Sequence, residues 1–492
     1  MFKDEQRYDV WEQIRQQDLR AFGRLLPNSL FLEAAERAGV RIVRSALAIP
    51  NLIWLGIASA CCTTKSFADV LTWAVRMLDF SANGLPEPIA NARRNARRRK
   101  PRSKHDPRGE NPIELSEEAF AQARKRMPQV FWEALIHILA DRFEADSPHL
   151  VRWQDFRLLA LDGSTITLPR WKKLKDHFGL AKNGKSQGTP QARMVMLQLP
   201  LVRMPWRYEL SRIDEGERAI AERLLQDLRR DDLVLMDQGF WSYGLFHQIQ
   251  GAQAYFGIRQ YPGVKLKTLR WLGPQERLVR WNTPSGPRWR GLNLPESIEL
   301  RVIDYHIPGF RPSAIVTNLL DSKRISREDW VRMATESESG RSLDRRVRLR
   351  VGLYHRRWEI ETTFHELKTV QGLERSLRSR TPESIRYEVA GHVVLYLLVR
   401  WLMVEAAGRA AADGDPLGLS FKHALEELST AWPMLLTSSA SEVSRRILPR
   451  LLQAIASHQV NWRPGRSFKR KPKSQKSKKK RSKKTKLKQM AK

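Results

Sequence analysis

Four side chains suited to chemistry on phosphate esters lie within one short segment of the chain. In LYHRRWEIETTFHELKTVQG, Tyr354, Arg357, Glu361 and Lys368 follow the spacing Tyr-x2-Arg-x3-Glu-x6-Lys. Because an α-helix turns by about 100° per residue, the four side chains fall within roughly 60° of one another on one helical face. A carboxylate that can hold a divalent metal then lies beside groups that can bind phosphate. The alternative is an amphipathic helix with an ordinary Arg357–Glu361 pair, worth a few tenths of a kcal/mol.

Two aspartates upstream favour the first alternative. Asp162 ends the apolar run FRLLALD and Asp237 ends DDLVLMD, so each is predicted at the C-terminal end of a core strand, where open α/β sheets bind ligands. One such aspartate alone is more often a turn former or a helix cap. Three converging carboxylates raise one another's pKa unless a cation neutralises them, and Mg²⁺ prefers oxygen ligands. Two such ions can hold the attacking and leaving oxygens of an in-line phosphoryl displacement.

The basic residues beside the third acid complete this hypothesis. Arg357 and Lys368 would bind the phosphates that flank the scissile bond. Tyr354 would donate a hydrogen bond to a phosphate oxygen. The sequence therefore predicts a phosphoryl-transfer site built from three acids and three phosphate contacts.

The composition indicates a negatively charged partner. The chain of 492 residues carries 87 Lys and Arg against 53 Asp and Glu, a formal net charge of +34. This excess predicts affinity for polyanions, nucleic acid first and an anionic membrane surface second. No run of about 18 apolar residues occurs, so a membrane-spanning helix is not expected. The beginning of the sequence lacks an apolar signal-peptide core and the two cysteines are adjacent, so we expect a cytoplasmic protein.

Hydrophobic periodicity divides the chain into helical and α/β regions. Short apolar runs and helical segments alternate as β-β-β-α-β-α-β between Phe156 and Arg259, which predicts a mixed sheet with packed helices. A strand- and loop-rich stretch follows and predicts a β insertion. The predicted regions are an N-terminal helical DNA-recognition domain (1–83), a basic linker (84–112), a helical connector (113–150), the catalytic core (151–259 and 319–405), the insertion (260–318), a C-terminal helical region (406–465) and a Lys-rich tail (466–492).

Two further segments have clear signals. A helix is predicted from about Ser342 to Val370, and another begins at Pro382 with Thr381 as its N-cap. The second is apolar enough to be a buried helix. The tail from Arg466 to Lys492 has 15 Lys and Arg and no acid. We expect it to be disordered and to bind DNA without sequence preference, the alternative being a solubilising extension.

The motifs around the three acids resemble those of a known enzyme family. LALDGST around Asp162, LMDQGF around Asp237 and YHRRWEIETTFHELK around Glu361 resemble the DDE transposases of bacterial insertion sequences, in the group with a Tyr-Arg-Glu-Lys signature. The resemblance covers about 150–405 and is most specific in the third motif. It implies an α/β fold with the ribonuclease H-like mixed sheet shared with retroviral integrases. The β insertion would interrupt this sheet, and an N-terminal helical domain and a disordered basic tail would flank it.

The resemblance also implies an activity. Asp162, Asp237 and Glu361 would bind two Mg²⁺ ions, with Mn²⁺ tolerated, and Tyr354, Arg357 and Lys368 would contact DNA phosphates. The enzyme would nick double-stranded DNA at transposon ends and join the freed 3′-hydroxyl to target DNA. It would act as a homodimer in a synaptic complex, associated with the bacterial nucleoid and not with a membrane. The N-terminal helices would recognise the terminal repeats.

The cleavage route stays open at this stage. Asp237 and Glu361 are 124 residues apart, which leaves room for the insertion found in relatives that cut through a hairpin intermediate. In some of these relatives an aromatic residue before the last insertion strand stacks on a flipped base. Ser313 stands near that place here. The aromatic candidates are Phe310, the nearest, and Trp271, Trp281 and Trp289.

Two alternative functions also stay open. One is a Mg²⁺-dependent nuclease of the same fold without strand transfer, which needs the same acids. The other is a non-catalytic DNA-binding protein derived from a transposase, for which the loss of one acid is the expected signature. All three acids are present in this chain, so an active transposase is the favoured hypothesis.

Overall fold

Most of the predicted α/β region is described by the computed structural model, together with parts of the flanking helical regions. The described residues are 28–41, 49–61, 69–70, 117–182, 188–286, 293–306, 312–332, 352–410, 414–438 and 440–460. The predicted basic linker at 84–112 and the Lys-rich tail at 466–492 lie outside these residues, as does the predicted helix start at Ser342.

The helices and strands alternate in the central part of the chain. The helices before and within the sheet-forming region are α1 (Asn28–Arg37), α2 (Ile49–Cys61), α3 (Glu117–Arg124), α4 (Gln129–Asp146), α5 (Pro148–Val151), α6 (Lys172–Phe178), α7 (Glu217–Leu224) and α8 (Tyr243–Gly251). The later helices are α9 (Arg327–Val331), α10 (Trp358–His365), α11 (Leu373–Ser376), α12 (Pro382–Ala410), α13 (Phe421–Thr437), α14 (Ala440–Glu442) and α15 (Leu448–Ser457). The strands are β1 (Arg152–Trp153), β2 (Phe156–Thr167), β3 (Gln191–Leu199), β4 (Met204–Arg212), β5 (Asp232–Met236), β6 (Tyr255–Arg259), β7 (Lys267–Gly273), β8 (Glu276–Asn282), β9 (Ser297–Tyr305) and β10 (Ser313–Thr317).

The described strands form one mixed sheet. Their order is β4-β3-β2-β5-β6-β10-β9-β8-β7, with β1 paired to β2. Strands β2, β5 and β6 run parallel, and the other pairings are antiparallel. Alternation along β5 places Val234 and Met236 in the larger core, while Leu233 and Leu235 pack on the opposite face. The predicted α/β class with a mixed sheet and packed helices is confirmed.

The β-rich stretch predicted at 260–318 continues this sheet. Strand β10 pairs antiparallel with both β6 and β9, and β8 and β7 extend the sheet to its edge. The exposed edge of β6 supplies backbone donors and acceptors that β10 satisfies, so the added strands join the central sheet. The division of the chain into domains stays a prediction.

The ends of several elements differ from the sequence prediction. The strand predicted to end at Asp162 continues to Thr167, because β3 keeps pairing with it in antiparallel register. The parallel pairing with β5 stops at Leu161, so Asp162 still lies where the sheet opens beside β5. Helix α6 was not predicted, since its sequence KKLKDHF buries only Leu174 and Phe178.

The helix predicted to end at Val370 does end there, but its first and last described turns are not α-helical. A 3₁₀ turn at Leu353–Arg357 precedes α10, and a π turn at Glu366–Val370 follows it. The hydroxyl of Tyr354 is bonded to the sheet, which draws the first turn inward and tightens it. Single π turns insert a residue into a helix and occur often at functional sites. The four signature side chains therefore share one region without forming a regular stripe.

Helix α12 crosses the larger core. It begins at Pro382, and the Oγ1 of Thr381 accepts a hydrogen bond from the backbone N–H of Ser384 at 3.4 Å, as an N-cap does. By length and composition α12 is the one described helix that could cross a membrane, but 89% of its apolar window is buried inside the protein. The prediction of a buried helix is confirmed.

Helix α2 packs directly on α12. The side chains of residues 52–60 are buried, and the hydroxyl of Tyr387 donates to the carbonyl of Leu52 at 2.5 Å. A Cβ placed on Gly391 would lie 2.8 Å from the carbonyl oxygen of Gly56, so the two backbones touch at this pair of glycines. These buried residues leave this stretch of α2 no surface for contacting DNA bases.

Candidate active site

The two predicted aspartates lie side by side at the opening of the parallel strands. Asp237 directly follows β5, while Asp162 lies on β2 one residue beyond its last pairing with β5. The backbone N–H of Gly163 donates to the Asp162 carboxylate at 2.8 Å. A buried ion pair at the opposite end of these strands, between Arg157 and Asp232 at 2.7 Å, supports their register. The sheet therefore brings together two acids that are 75 residues apart in the sequence.

Arg357 connects these aspartates to the third acid. Its Nη2 donates to the Oε1 of Glu361 at 3.1 Å, and its Nη1 lies 3.6 Å from the Oδ2 of Asp162. The side chain of Arg357 is only 4% exposed, and its guanidinium carbon Cζ lies 4.6 Å from the ring centroid of Trp358. Asp237 also acts electrostatically on the guanidinium. One arginine thus neutralises part of the charge of all three acids.

The charge of Asp162 is strongly disfavoured by its surroundings. Burial is the main cause that raises the pKa of Asp162 to about 6. The Gly163 N–H and the Arg357 guanidinium oppose this rise, whereas Glu361 and Asp237 add to it. Because Glu361 and Asp237 are both close enough to act on Asp162, the fold brings the three predicted acids into one electrostatic neighbourhood.

Tyr354 is bonded to the sheet in this structure. Its hydroxyl donates to the carbonyl of Met236 at 3.1 Å and accepts from the N–H of Arg259 at 3.2 Å. Burial raises the pKa of the phenol above its ordinary value. The predicted hydrogen bond from Tyr354 to a phosphate would therefore require the bond to Met236 to break. The observed bond instead ties the turn before α10 to the residue that precedes Asp237.

Lys368 lies against β2 beyond Asp162. Its ammonium group donates to the carbonyl of Thr165 at 2.6 Å and lies 3.5 Å from the Ser164 hydroxyl. It also pairs with Glu374 at 3.2 Å. The side chain is 24% exposed, so a ligand that approaches the strand beyond Asp162 can reach it.

A buried charge network holds the opposite face of α10. Arg203, in the turn between β3 and β4, pairs with Glu359 at 2.7 Å and with Glu366 at 3.1 Å. Glu366 also binds the fully buried Arg400, and the Tyr396 hydroxyl donates to it at 2.6 Å. The sequence analysis did not find these residues. Glu359 and Glu366 alternate with the signature residues on the helix, but their partner Arg203 is more than 150 residues away in the sequence.

The donor chemistry of the site fits a hard divalent cation, although the acids do not converge into a ready-made ligand set. Carboxylate oxygens are the groups that Mg²⁺ and Mn²⁺ prefer, and a bound cation would offset the repulsion that raises the pKa of Asp162. Among the residues that the structure describes, no three His, Cys, Asp or Glu side chains lie close enough to hold one ion. Arg357 occupies the space between Asp162 and Glu361, so a shared ion would require this guanidinium to move.

The aromatic candidates for base stacking have different environments. Trp281 is buried and packs against Trp241 and Tyr243, which makes it a core residue. Trp271 is 59% exposed on β7. Trp289 and Phe310 lie outside the described residues, and Ser313 is the first residue of β10.

Comparisons with known proteins place these motifs in context. A family model described as a transposase DDE domain matches residues 153–398, half of the chain. The chain is 26% identical over 343 residues to the transposase InsG for insertion sequence element IS4 of Escherichia coli (strain K12), covering 69% of this chain and 71% of that protein. The chain is also similar to one in a cryo-EM structure of a piggyBac transposase synaptic complex with hairpin DNA, with a TM-score of 0.36 and 11% sequence identity. The match covers 80% of this chain and 76% of the piggyBac chain.

Proposed function

The chain belongs to the family of transposases with a DDE domain, and from that premise we propose a cut-and-paste DNA transposase whose catalytic acids are Asp162, Asp237 and Glu361. It cleaves DNA at the ends of a mobile element and joins the freed 3′-hydroxyl to target DNA. The single observation that carries the site assignment is the position of Arg357, within 4 Å of both Asp162 and Glu361. Residues from three distant parts of the sequence meet around this guanidinium.

Divalent metal ions supply the chemistry that these acids alone cannot. Enzymes of this family generally use such ions, and we propose two Mg²⁺, with Mn²⁺ as a substitute, held by Asp162, Asp237 and Glu361. When bound, the ions activate the attacking oxygen and stabilise the leaving oxygen of the phosphodiester. The raised pKa of Asp162 supports this assignment, because a carboxylate that is costly to ionise alone gains most from a nearby cation.

The remaining signature residues divide into DNA contacts and a positioning residue. Arg357 binds a phosphate beside the scissile bond, since its Nε and Nη1 are buried without a hydrogen-bond partner and a guanidinium is a preferred partner of phosphate oxygens. Lys368 binds the next phosphate along β2. Tyr354 fixes Asp237 through the carbonyl of Met236, in place of the phosphate contact that the sequence suggests.

The larger assembly follows from the same premise. We propose that two copies of the chain hold the two transposon ends in a synaptic complex and that the protein acts at the bacterial nucleoid, in the cytoplasm. A hairpin intermediate would require an aromatic residue in the 260–318 segment that stacks on a flipped base. Among the candidates that the structure describes, Trp271 is the exposed one.

A strand-transfer assay with the element's own ends, target DNA and Mg²⁺ tests the proposal. Asp162→Asn and Glu361→Gln are expected to lower cleavage by roughly a thousandfold, because each removes a charged metal ligand worth several kcal/mol in the transition state. Affinity for end DNA, measured in a chelator, should stay near the wild-type value. Titration with Mn²⁺ followed by electron paramagnetic resonance should show weaker metal binding in both variants.

Asp155→Asn is the matched control. Asp155 is exposed in the turn just before the strand that carries Asp162, so this variant should cleave and bind Mn²⁺ like the wild type. Wild-type cleavage in both acid variants would refute the site assignment. Nicked products that are never joined to target DNA would instead indicate the nuclease alternative.

A further inference from the structure

A group of exposed cations continues from the candidate active site along the end of β2 and into α6. We call it the cationic strip, and its members are Arg170, Lys172, Lys173, Lys175, Lys182 and Arg380. Among the described residues, only Lys172 of this group has a carboxylate within 4 Å, that of Asp176 at 2.7 Å on the same helix. Within the part of the chain that the structure describes, the other members of the strip form no ion pair.

The strand that carries Asp162 leads directly to this strip. Beyond Asp162, β2 contacts Lys368 through the carbonyl of Thr165, and the N–H of Thr167 donates to Glu374 at 3.0 Å. The chain then enters the strip at Arg170. The five residue steps from Asp162 to Thr167 span about 17 Å of extended strand, at roughly 3.3 Å per residue. Arg170 follows three residues after the end of β2, so the strip begins past Lys368 and beyond this stretch of strand.

One cation of the strip is held in place by an aromatic ring. The guanidinium of Arg380 lies 4.4 Å from the ring centroid of Trp171, which is 41% exposed. Stacking restricts the long arginine side chain while leaving its N–H donors available to a ligand. A similar pair, Arg277 over Trp271, differs because Arg277 also binds the Asp304 carboxylate. Arg380 is therefore arranged to bind an anion that comes from outside the chain.

We propose that the cationic strip binds the backbone of the duplex whose phosphodiester is cleaved at the acids. This inference rests on the proposed function. Successive base pairs are about 3.4 Å apart, so the roughly 17 Å of strand from Asp162 to Thr167 matches about five base pairs, and the first contact with the strip is expected beyond them. Duplex DNA fits better than an anionic membrane, because the strip is aligned with a site that acts on a phosphodiester.

Duplex length separates this contact from binding at the acids. Two series of duplexes contain the cleavage site, and each series extends from this site in one of the two directions. In each series, a short duplex extends by about 3 base pairs and ends before the strip, whereas a long duplex extends by about 15 base pairs and can cross it. Lys173→Ala with Lys175→Ala, and separately Arg380→Ala, are compared with the wild type by fluorescence anisotropy in a chelator. In one of the two series, the double variant should bind the long duplex roughly tenfold more weakly than the wild type does. The slope of log affinity against log salt concentration should fall by about 1.8 for this duplex, while the short duplex should bind with wild-type affinity. Arg380→Ala should lower the same slope by about 0.9.

The matched control removes two exposed cations elsewhere. Lys422→Ala with Arg450→Ala, on α13 and α15, should bind both duplex lengths like the wild type. An equal loss on short and long duplexes, no loss on either, or a loss of binding to phosphatidylserine vesicles alone would overturn the inference. Cleavage by the wild-type protein tests the proposed function separately. If the wild type cleaves and the strip variants bind long duplexes normally, only the inference about the strip fails.

Discussion

Arg357 gives the acidic site a cation of its own. In the absence of metal, its guanidinium lies between Asp162 and Glu361 and lowers the repulsion that would otherwise separate them. Two of its donors have no hydrogen-bond partner although they are buried, which is costly unless a ligand satisfies them. Under the proposed function, a DNA phosphate would supply that partner and would draw the guanidinium away from the acids.

Protonation of Asp162 should make the stability of the metal-free protein depend on pH. Because the folded state raises the pKa of Asp162 from 3.8 to about 6, it binds this proton more tightly than the unfolded chain does. As pH rises from about 4 through about 6, the wild type should lose stability relative to Asp162→Asn, by at most roughly 3 kcal/mol. Melting temperatures of both proteins in a chelator, measured from pH 4 to pH 8, check this.

Divalent metal is the control for that experiment. A cation at the acids stabilises the ionised carboxylate, so Mn²⁺ should reduce the difference between wild type and Asp162→Asn at pH 8. A difference in melting temperature that stays constant across the pH range would contradict the prediction. It would mean that the carboxylate titrates normally and that burial does not raise its pKa.

At the scale of elements, the helix that carries Glu361 is fixed from its far side. Glu359 and Glu366 bind Arg203 from the β3–β4 turn, and Glu366 also binds Arg400 of α12. This network ties α10 and its π turn to the sheet on one side and to the central helix on the other. These ion pairs restrict the rotation of α10 and with it the position of Glu361.

Glu366→Gln should therefore affect both stability and catalysis. The change leaves Arg400 buried without its charged partner, and breaking a buried pair in this way costs about 3–5 kcal/mol. We expect a clearly lower melting temperature and, at a temperature where the variant is folded, weaker Mn²⁺ binding and slower cleavage, because Glu361 is displaced. Calorimetry and an Mn²⁺ titration measure the two effects.

An exposed pair of the same type provides the comparison. Glu426→Gln breaks only the surface pair with Lys422, in which both side chains are more than half exposed, so its cost should stay below about 1 kcal/mol. Normal Mn²⁺ affinity in folded Glu366→Gln would show that the network stabilises the fold without positioning the acid.

The sequence predicts elements well where periodicity decides them and poorly where distant contacts do. The continuous apolar run of β5 and the capped start of α12 at Thr381 were sufficient for prediction. The continuation of β2 to Thr167 depends on pairing with β3, which no local pattern encodes. The candidate acids could be proposed from their motifs, but the hydrogen bond of Tyr354 to Met236 and the pairing of Arg203 with Glu366 depend on tertiary packing.

At the scale of the whole molecule, one sheet and one helix connect the parts. The strands of the 260–318 segment extend the sheet that carries Asp162 and Asp237. Helix α12 contacts α2, α4, α13 and α15, as well as the π turn after Glu361. An N-terminal helix and the C-terminal helices thus pack on the same element that supports the active site. Disturbing their packing on α12 changes the stability of the whole, even at positions remote from the acids.

The contact between Gly56 and Gly391 makes this coupling testable. A methyl group at position 391 would lie 2.8 Å from a backbone oxygen of α2, which cannot give way without moving that helix. Gly391→Ala should therefore lower the melting temperature and speed proteolysis of the N-terminal region, at a cost of about 1–3 kcal/mol, as overpacking does. Limited proteolysis and calorimetry measure both effects.

The same substitution near the end of the same helix should act in the opposite direction. Apart from the backbone of its own helix and its chain neighbours, no atom of the described residues lies within 4 Å of a Cβ placed on Gly408. Alanine is better than glycine in a helix by up to about 1 kcal/mol. Gly408→Ala should therefore leave the melting temperature unchanged or raise it. If both variants melt alike, α2 moves on α12 without cost and the two elements do not form one packed unit. Opposite signs would show that a single backbone contact, made between residues 335 positions apart, joins the N-terminal helix to the core of the enzyme.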